Sequence, residues 1–358
     1  MLVILFAIFQ ISCSASNLDA SKKSSQITWN DLQITAKDNN NLCTTISLDN
    51  EQDWERSKQD FNYGLLGEIR PKHISDTNKV ADRTAWINAN EQQSLTWRFW
   101  YPEGNDRSVN LRLFVLLDEH QLSNALPSSG IYNDIVLERG DDISLDVIIP
   151  PLESGIHDVI AIAVPYPEEY PNEYGIVTLV YWRITLIAEP TVSPFRKIDF
   201  SPMIAEGSIN KNDPAMALEL TLLKDGIDVW NWPNPWLDIS GDTAINFFAL
   251  IGHQDVTNLD TPNLDKLKTS FSSLLLFMDY QQIEIAPNQT VIYSRTENDT
   301  AYARIPITLP PPAAGKHQLL ALRIDTPGVP MCILQGDPKS RILPNSVYGK
   351  LVGINVVP

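Results

Sequence analysis

Basic residues are scarce. Lysine and arginine total 27 against 44 aspartates and glutamates, and the formal net charge is −17. Such a surface repels a phosphate backbone, so nucleic acid is not an expected partner. It also disfavours electrostatic docking on anionic lipid. Acidity keeps a chain soluble, whereas holding calcium would need ligands clustered in one loop. Cysteine is scarcer still, with Cys13, Cys43 and Cys332 alone. No CxxC pair exists, which excludes a zinc knuckle and a thioredoxin-type site. GxSxG, HExxH, GxxxxGK[ST] and GxGxxG are all missing. The histidines show no i,i+4 pairing, so no catalytic, cofactor or metal residue is expected.

The chain opens "MLVILFAIFQISCSASNLDA", and Leu2 to Phe9 are continuously apolar. This is the layout of a signal-peptide core with a cleavage region. It is shorter than the roughly 20 apolar residues of a spanning helix. No later segment is long and apolar enough to cross a membrane. No lysine or arginine precedes Lys22, so the basic first region usual in such signals is missing. One reading has cleavage after Ser16, at "SAS". In the other, "QISCS" resembles the lipobox of bacterial lipoproteins, which implies that Cys13 becomes a lipidated first residue. Gln10 departs from the aliphatic or small residue preferred there. Residues 1–16 are thus expected to be a signal peptide or lipoprotein signal. Residues 17–44, with "SKKSS" and "DNNN", read as a flexible polar tether. Export follows on either reading, with lipid on Cys13 as the only membrane link. Cys43 and Cys332 are then a candidate disulfide, the alternative being two buried free thiols.

One phrase occurs twice. "PPLESGIHDVIAIAVPYP" from Pro150 returns as "PPPAAGKHQLLALRIDTP" from Pro310, keeping both prolines, the glycine, the histidine, one alanine and the last proline. "LRLFVLLD", ending at Asp118, returns as "SSLLLFMD", ending at Asp279, at almost the same offset. Two blocks in one order argue for a duplicated domain. Each copy reads as strands. Ile143, Leu145, Val147 and Ile149 alternate with polar residues, as do Ala303, Ile305, Ile307 and Leu309. That is the two-residue period of a half-buried strand. The double proline removes two backbone donors and stops the ladder. Gly155 and Gly315 then permit a positive φ. Val159 to Ile162 is apolar on both faces, as in a strand covered from both sides. Asn263–Phe271 is a candidate short helix.

Alternating strand, Pro-Pro, Gly-x-His and apolar strand together resemble the E–F corner of immunoglobulin-like and fibronectin-type sandwiches. That resemblance implies that a ring at the strand start folds back onto the corner's own backbone. His157 and His317 stand where many members have tyrosine. The expected fold is all-β, with two tandem immunoglobulin-like β-sandwich domains related by internal duplication. The first spans 45–189 and the second 196–358, with the linker at "AEPTVSPFRK".

Gly155, His157, Gly315 and His317 are therefore expected to be structural corner residues. "DVWNWPNPWLD" stands out because Trp230, Trp232 and Trp236 are crowded between prolines. Exposed rings there would stack on sugars or anchor a partner, whereas buried rings would cover the end of a core. The functional expectation is a non-enzymatic exported or surface-anchored protein with a structural or partner-binding role. Its partner would be a protein or glycan at the cell surface. The alternatives are carbohydrate binding through 228–238, or accessory domains of an extracellular hydrolase.

Overall fold

In the computed structural model, the described residues are 26–28, 31–32, 43, 50–60, 63–72, 80–81, 83–128, 130–169, 179–190, 193–202, 218–224, 227–229, 236–241, 244–252, 269–297, 302–335 and 346–357. The first half holds helix α1 (Asn50–Asp60) and strands β1 (Leu66–Pro71), β2 (Val80–Ala81), β3 (Thr84–Asn88), β4 (Gln93–Trp100) and β5 (Val109–Leu117). It continues with β6 (His120–Gln121), β7 (Asn133–Leu137), β8 (Asp142–Ile149), β9 (Gly155–Pro165) and β10 (Val180–Glu189). The second half holds β11 (Ser201–Pro202), β12 (Leu218–Lys224), β13 (Ile227–Val229), β14 (Trp236–Ser240), β15 (Ile245–Gly252) and β16 (Thr269–Met278). After these come β17 (Gln281–Ile283), β18 (Val291–Glu297), β19 (Tyr302–Leu309), β20 (Gly315–Asp325), helix α2 (Met331–Gln335) and β21 (Val347–Val357).

These strands form four sheets, two in each half. In the first half, β1-β4-β8 faces β2-β3-β10-β9-β5-β6, with β7 also on β5. In the second, β13-β12-β15-β19 faces β11-β18-β16-β20-β21-β14, with β17 on β16. The connectivity recurs: β10-β9-β5 corresponds to β21-β20-β16, and β4-β8 to β15-β19. Even the parallel edge recurs, with β3 running parallel to β10 and β14 parallel to β21. The fold is all-β, a pair of immunoglobulin-like sandwiches.

Alternation decides the layers. In β9, Val159, Ala161 and Ala163 point into the first core, where Trp97, Phe99 and Trp182 pack edge to face. Ile160, Ile162 and Val164 point the other way, alongside Phe114 and Leu116 of β5. Their cover is the second half of the chain. Leu275, Phe277, Leu320, Leu322 and Ile324 belong to the same buried cluster, and the Phe114 and Phe277 rings lie 5.3 Å apart. The four sheets therefore stack as one pile with three apolar layers. At roughly 25 cal/mol per Å² of apolar surface, each layer is a major stabilising term. Glutamines Gln121 and Gln282 bond to one another across the middle layer.

A further apolar cluster seals one side of the stack. It joins Phe195 of the linker, with Ile198 and Phe200 just after it, to Val329, Met331 and Leu334 around α2. Ile27 and Leu32 are buried in it, and Cys43 forms a disulfide with Cys332. The tether reading of 17–44 is corrected at these positions, because two apolar side chains and a covalent bond hold them to the second half. The Asn263–Phe271 helix is corrected where described: Thr269–Phe271 open strand β16, whose buried faces on both sides require extended backbone. Residues 263–268 lie outside the described residues. Helix α1 was not expected, since its sequence NEQDWERSKQD carries a single large apolar side chain. That residue, Trp54, is buried against the outer face of the first sheet, under the Arg98 guanidinium. Lys58 fixes the helix to Asp142 at 2.9 Å. No helix among the described residues is long and apolar enough to cross a membrane.

Candidate functional site

The repeated histidines occupy matching corners. Gly155 has φ +154° and Gly315 φ +133°. Nothing would touch a Cβ at Gly315, so backbone conformation alone calls for glycine there. Each corner lies against a tight hairpin whose two turn residues have positive φ: Asp118 and Glu119 in one, Asp279 and Tyr280 in the other. His157 donates from Nδ1 to Asp118 Oδ2 at 2.7 Å and from Nε2 to the Glu153 carbonyl at 2.9 Å. His317 repeats this with Asp279 Oδ2 at 2.7 Å and the Ala313 carbonyl at 2.8 Å. The other carboxylate oxygen accepts the N–H of Asp158 in one copy and of Gln318 in the other.

Both nitrogens of each ring thus face acceptors, which suits an imidazolium. Burial opposes the charge of His157, but the hydrogen bond and negative charge of Asp118 outweigh it and raise its pKa. For His317, too, burial is outweighed, here by Asp279 and the Ala313 carbonyl. Burial also works against ionised Asp118, yet His157 and Arg196 together hold its pKa below the usual range. As placed, each ring is held at both nitrogens by groups of its own corner. The corners lock a β8–β9 or β19–β20 turn to a hairpin.

The two corners differ in what covers them. Over the first, Arg196 of the linker forms ion pairs with Asp118 and Glu119. Tyr293 of the second sandwich donates to the same Glu119 carboxylate at 2.8 Å. Deeper still, Asp158 pairs with Arg183 at 2.8 Å, both fully buried. Arg183 also donates to the carbonyls of Asp325 and Thr326, while Asp158 accepts the Gly328 N–H. Over the second corner lies an open groove of about 650 Å³. Ile131 and Tyr132 of the first sandwich line it together with Met278, Asp279, Ile283, Pro312 and His317 of the second. Among the described residues no group of three or more His, Cys, Asp or Glu is placed to hold a metal ion.

Of the tryptophan trio, Trp236 is half-buried on β14, with the Lys316 ammonium 4.9 Å from its ring centre. Trp230, Trp232 and Cys13 lie outside the described residues. Sequence reasoning missed Asp118 and Asp279 as the histidines' partners. Their signal was present, because each repeated block ends in aspartate at nearly equal distance from its histidine, 39 residues in one copy and 38 in the other. It also missed the glutamine pair and the burial of Arg183, which reaches carbonyls of the other half of the chain.

No protein-family model matches the chain, and no curated protein matches it. Among solved structures, it is similar to the CARDB domain of a Pyrococcus furiosus protein in complex with di-metal ions, at 11% identity and TM-score 0.23, over 36% of this chain and 93% of that one. Red sea bream transglutaminase matches at 8% identity and TM-score 0.20, over 86% of this chain and 34% of that one. The secreted serine protease VesC of Vibrio cholerae matches at 10% identity and TM-score 0.22, over 72% of this chain and 48% of that one.

Proposed function

We propose that this chain is a non-enzymatic exported module in which two sandwiches form one rigid body that holds a partner at the cell envelope. The observation that carries this reading is the buried layer between the halves, where Phe114, Ile160 and Ile162 meet Phe277, Leu320 and Leu322. Sandwiches joined only by a linker leave such faces polar, and their relative motion is the default. Here an apolar layer, a buried ion pair and a glutamine pair oppose that motion. The histidine corners support a structural role, since both nitrogens of each ring are committed to acceptors. The Cys43–Cys332 disulfide supports export, because such bonds persist in oxidising compartments. The apolar run Leu2–Phe9 points the same way.

Small-angle X-ray scattering of the mature protein tests the reading. One compact particle whose maximum dimension is unchanged by salt is expected. A distribution of spacings between two beads would overturn it. Fractionation of the native host should place the protein outside the cytoplasm.

A further inference from the structure

We propose that the groove beside Asp279 is a docking site for an extended segment of a partner protein, seated by an arginine against the Asp279 carboxylate. This rests on the rigid-body reading above, because the lining comes from both sandwiches. The molecule supplies its own precedent. At the matching corner, Asp118 holds His157 on one oxygen, and its other oxygen takes both the Asp158 N–H and the Arg196 guanidinium. Asp279 holds His317 and the Gln318 N–H in the same way, and no guanidinium reaches it among the described residues. Its side chain is 52% exposed, against 25% for Asp118. The same carboxylate geometry is filled at one corner and open at the other.

The precedent also gives the form of the occupant. Arg196 arrives on the segment 193–200, SPFRKIDF, which bends at Pro194 and Phe195 and runs on without helix to Phe200, with Phe195 and Ile198 buried beside the arginine. The groove likewise has apolar lining, Tyr132, Met278 and Pro312, together with its carboxylate. A cation flanked by an aromatic and an aliphatic residue fits such a lining. The chain's net charge of −17 further favours a basic segment. The chain's own candidates are engaged: Arg196 is bound at the first corner, and Arg112 is paired with Asp134 and Glu168. Tyr280 stands where Glu119 stands in the first copy, so one carboxylate rather than two meets the cation, and binding is reversible.

The test titrates the full chain into a fluorescently tagged SPFRKIDF peptide and reads anisotropy. Saturable binding is expected. It should weaken about tenfold when the peptide's arginine becomes alanine, as loss of one charge-assisted hydrogen bond implies. Asp279→Asn should weaken it similarly. Because that change also loosens the corner, Gln281→Lys, on an exposed groove residue, provides a second arm and should weaken binding by repulsion. Absence of saturable binding overturns the proposal, as does affinity unchanged by both the peptide substitution and Gln281→Lys. Self-association of the chain in place of peptide binding would also overturn it. Scattering from the same samples separates the two readings. A fixed particle that ignores the peptide sinks the groove alone, whereas a jointed particle sinks both.

Discussion

Gln121 and Gln282 exchange hydrogen bonds as if related by a two-fold axis. The N–H of Gln121 donates to Gln282 Oε1 at 2.7 Å, and the N–H of Gln282 donates to Gln121 Oε1 at 2.8 Å. Each amide then reaches the other hairpin, Gln121 Nε2 donating to the Tyr280 carbonyl and Gln282 Nε2 to that of Glu119. Truncating either side chain strands a backbone donor at the junction. Gln121→Ala and Gln282→Ala should each cost about 1–3 kcal/mol in urea unfolding. The double substitution should cost less than the sum, since both remove one network. Additive losses would show that the two side chains act separately.

Arg183→Met tests the buried ion pair. It leaves the Asp158 carboxylate enclosed without its cation and takes a donor from the Asp325 and Thr326 carbonyls. Breaking such a pair typically costs about 3–5 kcal/mol. Pairing it with Asp158→Asn should recover part of that loss. If Arg183→Met unfolds at the parent's denaturant midpoint, the pair is not structural.

Stability should fall as pH rises through the neutral range. Glu119 is fully enclosed, its Oε1 meets no hydrogen-bond donor among the described residues, and burial pushes its pKa from 4.5 to about 7 against the pull of Arg196. The folded state therefore keeps a proton that the unfolded state gives up. That contribution is complete below 4.5 and is lost as pH climbs to about 7. His157 and His317, with raised values, act in the same sense: their share is complete below 6.5 and is lost as pH passes their folded values. Asp118 acts oppositely, its share being present above 3.8 and lost as pH falls through its lowered value. Urea midpoints of Glu119→Gln, plotted against pH, should be flatter between 4.5 and about 7 than those of the parent. Identical slopes would rule out Glu119 as the source.

The disulfide closes a loop of 289 residues. Loop-closure entropy for a loop of this length stabilises by several kcal/mol, about 5–6 by simple estimates. Reducing the bond, or Cys43→Ser, should lower the unfolding midpoint without changing the strand content seen by circular dichroism. An unchanged midpoint would mean that packing around Ile27 and Leu32 already holds the segment.

What could be read in advance depended on how local the cause was. The alternation in β8 and β19, the prolines that end them and the glycines after them are neighbour effects, so the corners were visible. That β9 is apolar on both faces was equally plain, but what covers its second face is a matter of tertiary packing. Arg183 looks like an outward-facing charge in "VYWRITLI". It is buried because its outward face is the one the second sandwich covers. Helix α1 escaped notice for the opposite reason, since one tryptophan among polar residues makes no period. The groove at Asp279 lies between segments far apart in the chain, and no window of sequence contains it.

The middle layer also has a consequence in time. During synthesis the first sandwich emerges with Phe114, Leu116, Ile160 and Ile162 facing water, and it must wait for strands β16 and β20 to appear. Over that interval the uncovered apolar face of the nascent chain is adhesive. A chain ended after Glu189 should accordingly bind a fluorescent hydrophobic dye and sediment as oligomers; a dye-silent monomer would mean that the first half can shield itself. Gene fusions or truncations of this protein are therefore best cut outside the pair of sandwiches, never between them.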